Sequence, residues 1–68
     1  MDIQKGKFRQ DLMDRINDFR EKTGASRWRI GMDSTGDHRI VQKLERGEEI
    51  LLSSADKIIN MMENYKPN

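Results

Sequence analysis

Apolar residues recur along the first third of the chain at helical spacing. Phe8, Leu12, Ile16 and Phe19 follow one another at steps of four, four and three, with Met13 beside them and charged residues on the other faces. That pattern predicts an amphipathic α-helix. Thr23 and Gly24 end it, glycine being the residue that most readily turns left-handed after a helix. Ser26 stands as the N-cap of a short second helix, to which Trp28, Ile30 and Met32 give bulk. Gly31 is small where another helix can approach closely. Residues 33–37, Asp-Ser-Thr-Gly-Asp, read as a polar turn. Asp37 is placed to cap a third helix over residues 37–46, because its carboxylate can accept free backbone N–H groups and suits the positive helix end. That helix carries Ile40, Val41 and Leu44 and stops at Gly47. In the following connection, the apolar run 50–52 is expected to pack onto the core. Ser53 to Asp56 reads as a capping box with aspartate in place of glutamate. A fourth helix over about 54–65 presents Ala55, Ile58, Ile59, Met62 and Tyr65 on one broad face. No stretch has the period of two that marks a strand. The expected fold is all-α, a compact four- to five-helix bundle in a single domain over residues 1–68, with 1–5 and 66–68 disordered.

Composition narrows what such a bundle can do. With 68 residues, 34% hydrophobic against 37% charged, the chain makes one small domain. A chain this short hides only about 60% of the surface it exposes when unfolded. It has no cysteine, which excludes a disulfide framework and a thiolate zinc site. The single histidine, His38, cannot build an all-histidine metal site or a histidine-paired nucleophile. The run 50–52 falls far short of the roughly 20 apolar residues that span a bilayer. The opening Met-Asp-Ile-Gln lacks the apolar segment of a secretory signal. Asp11, Asp14 and Asp18 imitate a metal cluster, but Arg15 and Lys22 interleave with them, so ion pairing on a helix surface accounts for them better. The expectation is a soluble cytoplasmic module with no membrane contact, metal, cofactor or small-molecule ligand, and not an enzyme, since no titratable pair has a catalytic spacing.

Charge adds an ordered asymmetry. The chain carries 13 basic and 12 acidic residues. Residues 25–47 hold five cations (Arg27, Arg29, Arg39, Lys43, Arg46) against three carboxylates (Asp33, Asp37, Glu45), whereas residues 48–68 hold two cations against four carboxylates. A polyanion would therefore prefer the middle segment. At 100° per residue, Ile40, Val41 and Leu44 share a sector roughly 100° wide. Arg39, Gln42 and Arg46 project opposite to them, flanked by His38 and Lys43. Two short helices joined by a turn, the second buried on one face and cationic on the other, suit a helix that reads base edges in the major groove. Arginine pairs with guanine O6 and N7, and glutamine with adenine N6 and N7. The candidate base-reading set is His38, Arg39, Gln42, Lys43 and Arg46. Ser26, Arg27, Arg29 and Thr35 are candidates for phosphate. Trp28 is read as a core or half-buried residue between the first and fourth helices, with a base-stacking platform as the alternative.

The stretch Gly24-Ala25-Ser26-Arg27-Trp28-Arg29-Ile30-Gly31, then residues 36–47 from Gly36-Asp37 through Val41 and Leu44 to Gly47, then Ser53-Ser54-Ala55-Asp56-Lys57-Ile58-Ile59, resembles the small bacterial and phage helix-turn-helix proteins of the lambda-repressor-like type. The similarity covers about residues 8–65. One departure is His38-Arg39, where many members carry Pro-Asn, at the base-reading end. The resemblance implies sequence-specific binding of double-stranded DNA in the nucleoid, transcriptional control as a repressor, a phage or mobile-element origin, and a homodimer. Ile59, Met61, Met62 and Tyr65 are the candidate dimer contacts, since they are more apolar surface than one thin domain needs on one helix. Two other readings remain open. One is a protein-interaction module or antagonist of a host protein acting through helix 54–65. The other is an architectural recombination accessory factor.

Overall fold

The computed structural model describes residues 2–65, with side chains from Phe8 onward. The disorder expected at residues 1–5 and 66–68 concerns the two ends, outside the part whose side chains are described. Four helices follow one another: α1 (Asp2–Thr23), α2 (Arg27–Ser34), α3 (Ile40–Glu45) and α4 (Leu52–Glu63). No strand occurs among the described residues. Every helix contributes to one core. Leu12 and Ile16 come from α1, Ile30 from α2, Ile40, Val41 and Leu44 from α3, and Ala55 and Ile58 from α4. Met13, Phe19, Ala25, Ile50, Ile59, Met61 and Met62 pack around them, partly buried. No polar or charged side chain is buried among the described residues, so the interior is held by apolar contact alone. Burial of this kind stabilises by about 25 cal/mol per Å² of apolar surface.

The stripe expected on α1 holds at its centre, and α1 ends at Thr23 as its pattern predicts. Ser26 caps α2 by accepting a hydrogen bond from the Arg29 N–H at 3.0 Å. Gly31 sits where α2 meets the turn before α3. A Cβ built there would lie 2.9 Å from the His38 Cα and 3.1 Å from the Asp37 carbonyl carbon, and closer still to the Asp37 carbonyl oxygen. The absent side chain is thus what lets α2 and the start of α3 touch.

Several sequence expectations are corrected. Trp28 is 56% exposed, not packed between α1 and α4. Its spacing explains this: Trp28 and Met32 each lie two residues from the buried Ile30, about 200° round the helix, so Met32 is exposed as well. The third helix is shorter than 37–46, and its N-cap position is Arg39, without a side-chain cap. Asp37 instead organises the turn ahead of it. Its carboxylate accepts from the Arg39 N–H at 2.9 Å, and its carbonyl accepts from the Ile40 N–H at 3.1 Å. Ser53 does not cap α4. The cap position lies two residues earlier, at Leu51, and the helix runs from Leu52 to Glu63; the Leu51 carbonyl accepts from the Ser54 and Ala55 N–H groups. Ser53 is thereby inside the first turn, where a capping box cannot close. Of residues 50–52 only Ile50 packs onto the core; Leu51, the extended N-cap residue of α4, and Leu52, its first residue, are 72% and 68% exposed.

The close approach at Gly31 gives a signed expectation. Alanine favours a helix over glycine by about 1 kcal/mol. Against that, overpacking against backbone costs about 1–3 kcal/mol. Gly31→Ala is therefore expected to lower the melting temperature by several degrees, read by circular dichroism. An unchanged or raised melting temperature would show that α2 and the α3 turn do not meet as described.

Candidate nucleic-acid interface

The surface of interest is built by α2, the turn 35–39 and α3. Its foundation is the apolar side of α3: Ile40, Val41 and Leu44 are all buried. A helix of six residues is too short to persist by itself in water, and both its ends are tied down. At the leading end, Thr35 Oγ1 accepts from the Asp37 N–H at 3.1 Å, and Lys43 Nζ donates to Asp37 Oδ2 at 2.9 Å. At the trailing end, Gly47 takes φ +87, and the Glu48 N–H reaches back to the Lys43 carbonyl at 2.9 Å while the Gly47 N–H bonds the Leu44 carbonyl at 3.1 Å. That pairing closes the helix with a left-handed glycine. Arg9 of α1 then completes the end. Its guanidinium donates to the Leu44 carbonyl at 3.0 Å and to the Glu48 carbonyl. A cation at a helix C-terminus is favourable because the unpaired carbonyls carry partial negative charge.

The outward side is exposed at His38, Arg39, Gln42, Glu45 and Arg46. Among the described residues, the side chains of His38, Arg39 and Gln42 make no ion pair or hydrogen bond within the chain. The remaining candidates each have a partner. Lys43 is turned toward Asp37. Arg46 lies 3.5 Å from Glu48. Arg27 Nε is 2.8 Å from Glu45 Oε2, and Arg29 Nε is 2.7 Å from Asp33 Oδ2. Thr35 spends its hydroxyl on the turn, accepting from Asp37 and donating to the Gly31 carbonyl at 3.4 Å. The middle segment is thus a lattice of local ion pairs around one unpaired arginine, Arg39, rather than a bare cationic face. Surface pairs of this kind contribute about 0–1 kcal/mol each, so a phosphate can displace the carboxylate at little cost.

These pairs set the local electrostatics. The Lys43 ammonium, then the Arg39 N–H, hold the Asp37 carboxyl below its ordinary value. The Asp33 carboxylate raises the already high value of Arg29. The carboxylate clusters that imitated a metal site do not form one: among the described residues no group of three His, Cys, Asp or Glu side chains could hold a metal ion. Asp18 instead pairs with Lys22 at 3.0 Å, as the interleaved charges predict, and Arg15 reaches Glu63 at 3.3 Å. No helix among the described residues is long and apolar enough to cross a membrane.

The candidate dimer residues lie mostly against the chain's own core. Ile59, Met61 and Met62 are half-buried there, and the Tyr65 ring stacks edge-on to Phe19 with centroids 5.0 Å apart. The strongly exposed apolar side chains are elsewhere, at Leu51, Leu52 and Trp28. Comparison of the chain with protein-family models, curated proteins and solved structures finds no match.

Two expectations follow from the tied ends of α3. Because the folded carboxyl of Asp37 titrates below its unfolded counterpart, it stabilises the fold above the ordinary carboxylate value of about 4 and ceases to do so as the pH falls through the depressed folded value. Asp37→Asn should therefore melt lower than the wild type at pH 7, with the gap narrowing in acid; a gap independent of pH between 7 and 2 would remove this role. Arg9→Ala should lose about 1.5–3 kcal/mol of unfolding free energy, the range for a hydrogen bond to a charged group. Urea denaturation measures it, and a loss below about 0.5 kcal/mol, within the range of ordinary surface substitutions, would place Arg9 in solvent.

Proposed function

We propose that the chain is a sequence-specific double-stranded DNA-binding regulator, a repressor of the lambda-repressor-like helix-turn-helix type, with α2 and α3 as the paired helices and α3 in the major groove. One observation carries this reading: Arg39 and Gln42 stand exposed, with no side-chain partner among the described residues, on a short helix whose opposite face is buried and whose two ends are fastened. Reading base edges needs side chains held in fixed register, and fastening supplies that. Arg39 matches guanine, Gln42 matches adenine, and His38 lies beside them at the same end. Lys43 and Arg46 add positive charge at the margin. Ser26 and Arg29, at the start of α2, meet the phosphate backbone, where contacts position the protein without reading sequence. Phosphate neutralisation then supplies most of the affinity and makes it fall with salt.

Two copies of the domain would set two reading helices about 34 Å apart on successive turns of the duplex. The second copy is held by apolar surface outside α3, to which the half-buried Ile59 and Met61 and the exposed Leu51 and Leu52 belong. Promoter control follows from occupancy of such a site.

A binding selection from random duplex tests the reading directly. The expected product is a short motif with two-fold symmetry. Within that motif Arg39→Ala should lose about 1–3 kcal/mol of preference at a single base pair, leaving the other positions unchanged. Recovery of no enriched sequence, or a variant that discriminates as well as the wild type, would falsify the assignment of α3 as the reading element.

A further inference from the structure

Glu45 is the one carboxylate of α3, and it belongs to the outward side. It is three residues from Gln42, so the two are neighbours on the helix surface. A bare carboxylate there would repel phosphate and every base edge that presents an acceptor. The structure does not leave it bare. Arg27 reaches across from the first turn of α2 and donates from Nε to Glu45 Oε2 at 2.8 Å, which leaves the Glu45 side chain only 32% exposed. On sequence grounds Arg27 is a phosphate contact, but a phosphate that drew it away would leave Glu45 bare beside Gln42. The other three ion pairs of the segment join residues close in the chain (29 with 33, 37 with 43, 46 with 48), whereas this one links the two helices.

We propose that Arg27 is a positioning residue that masks Glu45, cancelling the single repulsive charge on the reading side of α3, and that it is not a phosphate contact. This rests on the DNA-binding reading above and reassigns one residue within it. Charge arithmetic separates the two roles. A phosphate contact releases counterions, so its loss makes the dependence of log affinity on log salt shallower by about 0.9. A masking pair carries no net charge, so deleting both partners leaves that dependence unchanged.

The experiment titrates the wild type, Arg27→Ala, Glu45→Gln and the double variant against the duplex recovered by selection, between 50 and 200 mM salt. Arg27→Ala should bind about tenfold more weakly, the effect of one unscreened charge near phosphate. The double variant should return to within about threefold of the wild type, at the wild-type salt slope. Glu45→Gln alone frees Arg27 and should bind at least as tightly as the wild type. A double variant as weak as Arg27→Ala, with a slope shallower by about 0.9, would overturn the masking role while leaving DNA binding intact. Weaker binding by Glu45→Gln alone, a single substitution at an exposed position, would overturn it as well. Failure of the wild type to bind any duplex would overturn the functional reading and this assignment with it.

Discussion

A helix of six residues cannot hold its own shape in water, since nucleation fixes several residues for one hydrogen bond and short helices never recover that loss. Everything of interest in this domain depends on how the surroundings supply what α3 lacks. Its apolar side is buried in the shared core, against α1 and α2. Its leading turn is wired by Asp37 to Arg39, Ile40 and Lys43. Its trailing carbonyls are satisfied by Gly47, Glu48 and, from a distant part of the chain, Arg9. The result is a short rod whose register is set from outside.

That arrangement fixes where charge can be used. Four cations of the middle segment already have carboxylate partners within the chain. Such pairs keep the free domain from carrying an exposed block of like charge, which would repel itself. Those of Arg29, Lys43 and Arg46 are weak enough to exchange. On the proposed reading, Lys43 and Arg46 are reserves drawn out by a polyanion, and Arg39 and Gln42 are ready from the start. Sequence-reading groups that need no rearrangement lose less conformational freedom on binding.

Much of the fold was legible from periodicity. The stripe of Leu12 and Ile16, the cap at Ser26, the close approach at Gly31, the buried trio of Ile40, Val41 and Leu44, and the pair Ala55 and Ile58 all follow from spacing and residue type. In α2 what failed was hydrophobicity credited without its angle. Trp28 and Met32 are large and apolar but lie about 200° from Ile30, and Leu51 and Leu52 precede the buried turn of α4. The capping box at Ser53 failed because the backbone entered α4 two residues sooner than the side-chain signal suggested. In the candidate interface, outward orientation was readable, but ion pairing was not. The partnership of Arg9 with the Leu44 carbonyl joins residues 35 apart, and that of Arg27 with Glu45 joins residues 18 apart. No local pattern encodes either one; both depend on how the helices are brought together.

The reach of Arg9 has a kinetic side. A helix closed by a group 35 residues away, on α1, cannot be completed until α1 has docked. By the same token a local opening of α3 must release Arg9 along with its own bonds, so its amides are shielded longer than those of a free helix of that length.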